Sequence, residues 1–143
     1  MEFARRAEKE NEVPVGAVII SPQGREIGHG WNRRESTQDP LGHAEIPAIY
    51  QAAQALGSWR LLGCTLVVTL EPCLMCLAAA QQARVERVIY GTPDSKGGAI
   101  SLGYRFHEDE RLNHRFRTDL IRSAECESIL KEFFQSKRSL ANH

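Results

Sequence analysis

The stretch CTLVVTLEPCLMCLAAAQQARVERVIY, residues 64–90, decides the fold. Cys64 to Leu70 is an apolar run of strand type, punctuated by Pro72, and Leu74 to Ala83 has the composition of a helix. Arg87 to Tyr90 then reads as a second strand. Working outward, Val15 to Ile20 is a β-branched run closed by the turn Ser21-Pro22-Gln23-Gly24, and a second strand to about Trp31 completes a hairpin. Residues 33–42 are polar, with Pro40 and Gly42, and predict a loop. His43 to Leu56 predicts a helix that stops at Gly57, and Pro47 fits only near its start. Residues 1–12 are helix-prone but short. On the carboxyl side, residues 92–115 begin as loop, with Gly97-Gly98 and an acidic cluster from Glu108 to Glu110. Phe116 to Ile121 offers a fifth strand, and Ala124 to Lys137 places Cys126, Ile129, Leu130, Phe133 and Phe134 at helical spacing on one face. This order predicts a layered α/β fold with a mixed sheet. No linker or repeat divides the chain, so residues 1–143 are expected to form a single domain.

Composition narrows the class. The 143 residues are 42% hydrophobic and 25% charged, which is ordinary for a globular domain and excludes disordered and fibrous classes. The longest apolar stretches, Val13 to Ile20 and Cys73 to Ala80, are far short of the ~20 residues of a membrane span. The amino terminus lacks the apolar core of an export signal, so no membrane partner and a cytoplasmic location are expected. In that reducing setting four cysteines do not suggest a disulfide framework, and Cys73-Leu-Met-Cys76 has the spacing of a metal clip or redox pair. Lys plus Arg and Asp plus Glu both number 18, so a polyanionic partner would have to be held by a local patch.

The chemistry lies in His43-Ala44-Glu45 and Pro72-Cys73-Leu74-Met75-Cys76, each at the predicted start of a helix. A helix amino terminus lowers a thiol's pKa and favours the thiolate that binds zinc. Cys73 and Cys76 on one turn, with the His43 imidazole, give three protein ligands, which leaves a fourth zinc position for water. An open position belongs to catalysis. Glu45 can take a proton from that water and return it to a ring nitrogen and a leaving amine, the steps of a hydrolytic deamination. Taken alone, Cys-x-x-Cys is open to a thioredoxin-like redox reading, although it lacks the usual Gly-Pro or Gly-His interior. A lone His-x-Glu is compatible with a solvated helix turn. In this order, with Pro72 before Cys73, the two together match the known signature of zinc nucleobase deaminases.

The likeness extends further, through Glu-Val-Pro-Val-Gly-Ala-Val (12–18), Gly-Trp-Asn-Arg (30–33), His-Ala-Glu-Ile (43–46), Val-Thr-Leu-Glu-Pro-Cys-Leu-Met-Cys (68–76) and Asn-His-Arg (113–115). From about Glu12 to Arg138 the chain resembles the bacterial tRNA-specific adenosine deaminase family, within the zinc-dependent cytidine and deoxycytidylate deaminase superfamily. The resemblance implies a three-layer αβα cytidine-deaminase-like fold with a mixed five-stranded sheet. It also implies a homodimer, one Zn2+ per chain, and conversion of adenosine to inosine at the wobble position of a tRNA anticodon stem-loop. Carried over by position, His43, Cys73 and Cys76 hold zinc and Glu45 shuttles protons. Asn32 hydrogen-bonds the flipped nucleotide, Asp94 lies beside the substrate backbone, and Asn113, His114 and Arg115 frame the RNA channel. Phe133 or Phe134 is expected in the core. The end of the last helix, with Phe133, Phe134, Lys137 and Arg138, is expected to close over the loop.

Three departures from the family stand out. The helix before Glu12 is expected to be short, Pro47 stands where the family commonly has a helix former, and the acidic cluster 108–110 precedes the Asn-His-Arg loop. The last two are expected to bear on substrate preference. Cys64 and Cys126 are expected as buried small hydrophobes, and His29, His107 and His143 carry no assigned role. Two other functions fit part of the pattern. A free-base deaminase acting on guanine or cytosine shares both motifs, and zero net charge suits it. A non-catalytic zinc scaffold would be expected to lack Glu45.

Overall fold

The computed structural model describes residues 1–141. In chain order the elements are α1 (Glu2–Lys9), β1 (Gly16–Ile20), β2 (Glu26–Trp31), α2 (Glu45–Leu56), β3 (Thr65–Val68), α3 (Leu74–Gln82), β4 (Arg87–Tyr90), a single 3-10 turn (Phe106–Glu108), β5 (Arg117–Leu120) and α4 (Ala124–Ala141). The five strands lie in the order β2-β1-β3-β4-β5. β1 runs antiparallel to both β2 and β3, while β3, β4 and β5 are parallel. The mixed sheet expected from the order of elements is therefore present, with α3 as the crossover that a parallel β3–β4 pair requires.

Strand periodicity decides which helix lies on which face. In β2, Gly28 and Gly30 point to α2, so closely that an added Cβ would sit 2.2 Å from the Ala48 carbonyl oxygen and 2.3 Å from that of Ala44. Those two glycines let α2 lie directly on the edge strand, which fixes where its amino terminus ends. The alternate residues, His29 and Trp31, stack with Phe3 of α1 on the opposite face. His29 thus has a packing role. α4 lies on the α1 side, held by an Arg5–Glu125 ion pair and by Lys137 Nζ donating to Asn11 Oδ1 at 2.7 Å. The layers are α2 and α3, the sheet, then α1 and α4.

The core joins Ile19, Leu66 and Val88 from the central strands with Leu61, Leu77 and Val85, all fully buried. Each such side chain contributes about 1.5–3 kcal/mol relative to exposure. Cys64 and Cys126 are buried free thiols, as expected, and burial pushes the Cys64 thiol up. Pro47 falls in the first turn of α2, where the amide it lacks has no helical partner in any case.

Most boundaries differ from the sequence expectation by a residue or so, and three of the differences bear on the site. β3 stops at Val68 because the next ladder pair is half-made: the Thr69 amide donates to the Gly16 carbonyl at 3.0 Å, but the Gly16 amide turns to the Thr69 hydroxyl at 3.1 Å. α2 begins at Glu45, leaving His43 free in the entry loop. α4 runs past Lys137 to Ala141. That extension corrects the placement of the aromatic pair. Cys126, Ile129 and Leu130 are buried, but Phe133 is half-buried and Phe134 is 44% exposed, so neither is core. An 18-residue helix spans about 27 Å and the four residues of β5 about 13 Å, so the helix outruns the sheet it covers.

Candidate active site

The amino termini of α2 and α3 meet beyond the carboxyl end of β3. Cys73 caps α3 in an extended conformation (φ −71°, ψ 174°), and Cys76 lies on its first turn. His43, two residues before α2, turns its Nδ1 toward both sulfurs, 3.4 Å from Cys73 Sγ and 3.5 Å from Cys76 Sγ. The three donor atoms all lie within 4.8 Å of one another. One imidazole nitrogen and two sulfurs on a helix terminus form the donor set of a zinc site with a free position, so the residues present fit that ion.

Electrostatics support the same assignment. The hydrogen bond between the two thiols, reinforced by His43, pulls Cys73 down to about 4 against the opposing effect of burial. The same hydrogen bond, with burial and the nearby Glu45 charge, pushes Cys76 up. The Cys73–His43 contact in turn raises His43. Glu45 is buried beside them, 4% exposed, and desolvation lifts its carboxyl from 4.5 to about 7. A carboxyl poised near neutrality can both accept and return a proton.

His43, Glu45 and Cys73 floor a cavity of about 290 Å³, with Cys76 buried behind them. Val13, Val15 and Leu70 give it an apolar wall, and Asn32, Arg34, Glu71 and Asp94 a polar rim. Its size is close to the lower end of small-molecule pockets, ~300–1,000 Å³. Asn32 is 8% exposed and held by two local bonds that leave one N–H and one lone pair of its amide unused: Nδ2 donates to the Val13 carbonyl at 3.2 Å and Oδ1 accepts the Arg34 amide at 3.3 Å. Asp94 lines the opposite rim, its Oδ1 accepting the amides of Lys96 and Gly97, each at 3.1 Å.

The end of α4 stands against the mouth. One groove joins Phe133, Phe134 and Lys137 to Val13, Asn32 and Arg34, and a second joins Phe134 and Arg138 to Leu70 and Asp94. Asn113, His114 and Arg115 are not brought to this cavity. His114 Nε2 donates to the Val85 carbonyl at 2.6 Å, and the His114 carbonyl accepts from Gln81 Nε2 at 3.0 Å. Arg115 reaches the Glu110 carbonyl at 3.3 Å, and Asn113 is exposed. All three lie at the carboxyl end of α3, the end away from the cysteines. His143 falls outside the described residues.

Two acids that lie inside the family motifs, Glu12 and Glu71, prove to be buried anchors. Glu12, 1% exposed, accepts the amides of Glu35 and Ser36 and holds the loop after β2. Glu71, 3% exposed, does the same for the loop after β4. Neither spacing nor periodicity distinguishes them from solvated acids.

A buried carboxyl beside a sulfur and imidazole clip, on a three-layer frame, defines a deaminase site. Residues 1–92 match the family model for the cytidine and deoxycytidylate deaminase zinc-binding region, and the chain belongs to that family. Within it, the chain is 41% identical over 139 residues to the tRNA-specific adenosine deaminase of Haemophilus influenzae, covering 96% of this chain and 80% of that one. Among solved structures, it is similar to one described in work on A-to-I editing by tRNA:A34 deaminases at the wobble position of transfer RNA. That likeness has a TM-score of 0.79 at 41% identity and covers 92% of this chain and 93% of the other. A guanine deaminase from Bacillus subtilis shares the fold more distantly, at a TM-score of 0.61 and 29% identity over 99% and 90% of the two chains.

Proposed function

We propose that this chain hydrolyses adenosine to inosine, with release of ammonia, at the wobble position of a tRNA anticodon stem-loop. The observation that carries the reading is Glu45, a buried carboxyl set beside the His43, Cys73 and Cys76 donors at the floor of a cavity suited to one extruded nucleoside. When bound to those three donors, zinc supplies Lewis acidity toward water. Glu45 accepts a proton from the attacking water, delivers it to the purine N1, and carries the second proton to the departing amine. Its burial serves both transfers, since a carboxyl near 7 is neither too weak a base nor too weak an acid. Asn32, fixed by its two backbone partners, presents its amide edge to the nucleotide, and Asp94 stands beside the substrate backbone. Val13, Val15 and Leu70 exclude bulk water from the reacting base.

The neutral chain concentrates its RNA contacts locally. Phe133, Phe134, Lys137 and Arg138 border the mouth, a combination of stacking surface and phosphate partners suited to a single-stranded loop. Asn113, His114 and Arg115, away from this cavity, serve the RNA only as an outer contact. Residues 1–143 act as one deaminase unit. The apolar groove between α2 and α3, with Tyr50 66% and Trp59 55% exposed, supports pairing of two copies. Among the described residues no helix is long and apolar enough to cross a membrane, and the site of action is the cytoplasm, with tRNA.

Identity favours this reading over a free-base guanine deaminase, 41% against 29% in solved structures. Incubating the zinc-loaded protein with an anticodon stem-loop, free adenosine and guanine side by side tests it. Inosine in the stem-loop is expected. Xanthine from guanine, with an unmodified stem-loop, would replace it with the free-base reading.

A further inference from the structure

Glu71 sits two residues before Cys73, buried, and among the described residues it makes no ion pair. A carboxylate taken out of water without a cation has to be satisfied by hydrogen-bond donors. Here they all come from one loop. Glu71 Oε1 accepts the Asp94 amide at 3.0 Å and the Ser101 hydroxyl, and Oε2 accepts the Ser101 amide at 2.8 Å. Backbone bonds on either side repeat the attachment, from the Glu71 amide to the Thr92 carbonyl at 2.9 Å and from the Ala99 amide to the Pro72 carbonyl at 3.0 Å. The Gly97-Gly98 pair belongs to the same device. A Cβ on Gly98 would lie 2.0 Å from Glu71 Oε2, so a glycine is needed for the loop to close on the carboxylate.

What this loop carries makes the attachment functional. Asp94 and Gly97 line the rim of the cavity, and Glu71 itself reaches it. We propose that Glu71 is a positioning residue: its buried carboxylate gathers the 94–101 loop into a fixed rim, which sets how well a substrate strand is captured without taking part in bond breaking. The substrate named here rests on the adenosine deaminase reading above.

The test is Glu71→Gln, with Ser101→Ala as a milder probe of the same contacts and Gly98→Ala as a steric block to them. Gln keeps the size of the side chain but turns an NH2 group toward at least one of the donors. Three quantities are read on zinc-loaded protein: zinc per chain, amide hydrogen exchange across residues 92–103, and the stem-loop half-saturation and saturating single-turnover rate. Zinc should stay at the wild-type level, and loop exchange should quicken by at least about tenfold. Half-saturation should rise about tenfold while the saturating rate moves less than about threefold. Ser101→Ala should change both in the same direction by less, and should give the result if Glu71→Gln fails to fold. Glu71→Gln combined with Gly98→Ala should cost less than the sum of the two, since both open one contact. Unchanged loop exchange would overturn the proposal. So would a lower saturating rate at unchanged half-saturation, which marks a purely structural or catalytic role. If the wild type turns over no stem-loop while the variant's loop still loosens, the adenosine deaminase reading fails and the substrate-capture half of the proposal fails with it.

Discussion

The two ends of the cavity are built differently. At the floor, His43, Glu45, Cys73 and Cys76 sit on two helix amino termini, half-buried or buried, with their polar atoms directed at one another. At the mouth, Phe134 and Arg138 are exposed on a helix that has outrun its sheet, and Lys137 bonds to Asn11 with its ammonium 5.4 Å from the Phe133 ring centre. A bond-breaking centre requires donors held at fixed separations, which only packed secondary structure provides. A surface that receives a flexible RNA loop requires charge and aromatic faces within reach, which a helix end supplies without a core beneath it. Damage at the floor should therefore remove activity outright, and damage at the mouth should trade affinity while sparing chemistry.

The largest effect is expected from the ligands. Cys73→Ala, Cys76→Ala or His43→Ala leaves a two-ligand site, so elemental analysis should find zinc falling from one per chain toward none, with deamination lost. Full zinc occupancy in Cys73→Ala would remove that residue from the set. Next comes Glu45→Gln, which keeps the metal donors but cannot accept a proton. Single-turnover deamination should fall at least ~10²-fold with zinc content unchanged, and near wild-type turnover would assign the proton transfer to another group.

At the mouth, Lys137→Ala with Arg138→Ala should weaken stem-loop binding. It should also flatten the dependence of log affinity on log salt by about 1.4, from two contacts at ~0.7 each for single strands. Deamination of free adenosine should barely move. Equal slopes by fluorescence anisotropy would make these charges a solvated helix end. The smallest effect concerns His107, 3% exposed with no partner at Nδ1 among the described residues, whose pKa burial holds below 6.5. A histidine lowered on folding stabilises above its unfolded pKa, and that stability is lost as pH falls through the folded value. Thermal melts of the wild type against His107→Leu should therefore diverge from pH 7.5 to pH 5, with the wild type losing more. Parallel curves would mean that the ring titrates alike in both states.

How much was legible in the sequence follows the same division. The floor could be read because metal ligation imposes residue types at fixed spacing, and the spacing survives as Pro72-Cys73-x-x-Cys76 after His43-x-Glu45. The strand, helix, strand unit of residues 64–90 was equally plain, because one buried face and one partly covered face leave an apolar run. The aromatic pair on α4 was misplaced because helical spacing identifies a face without saying where the sheet beneath it ends. Glu12 and Glu71 were invisible as anchors, since their partners are backbone amides 23 to 30 residues away and nothing in a local pattern marks a carboxylate as buried. Asn113, His114 and Arg115 were grouped by resemblance, and their distance from the cavity depends on tertiary placement that no tripeptide encodes.

The most direct test uses two anticodon stem-loops that differ only in the position of one adenosine, at the wobble position or one nucleotide 3′ of it. Zinc-loaded protein is incubated with each, and the digested product is read by mass spectrometry. The structure and its relatives predict inosine in the first stem-loop and little in the second. Equal inosine in both, or none in either while free guanine is consumed, would contradict the assignment.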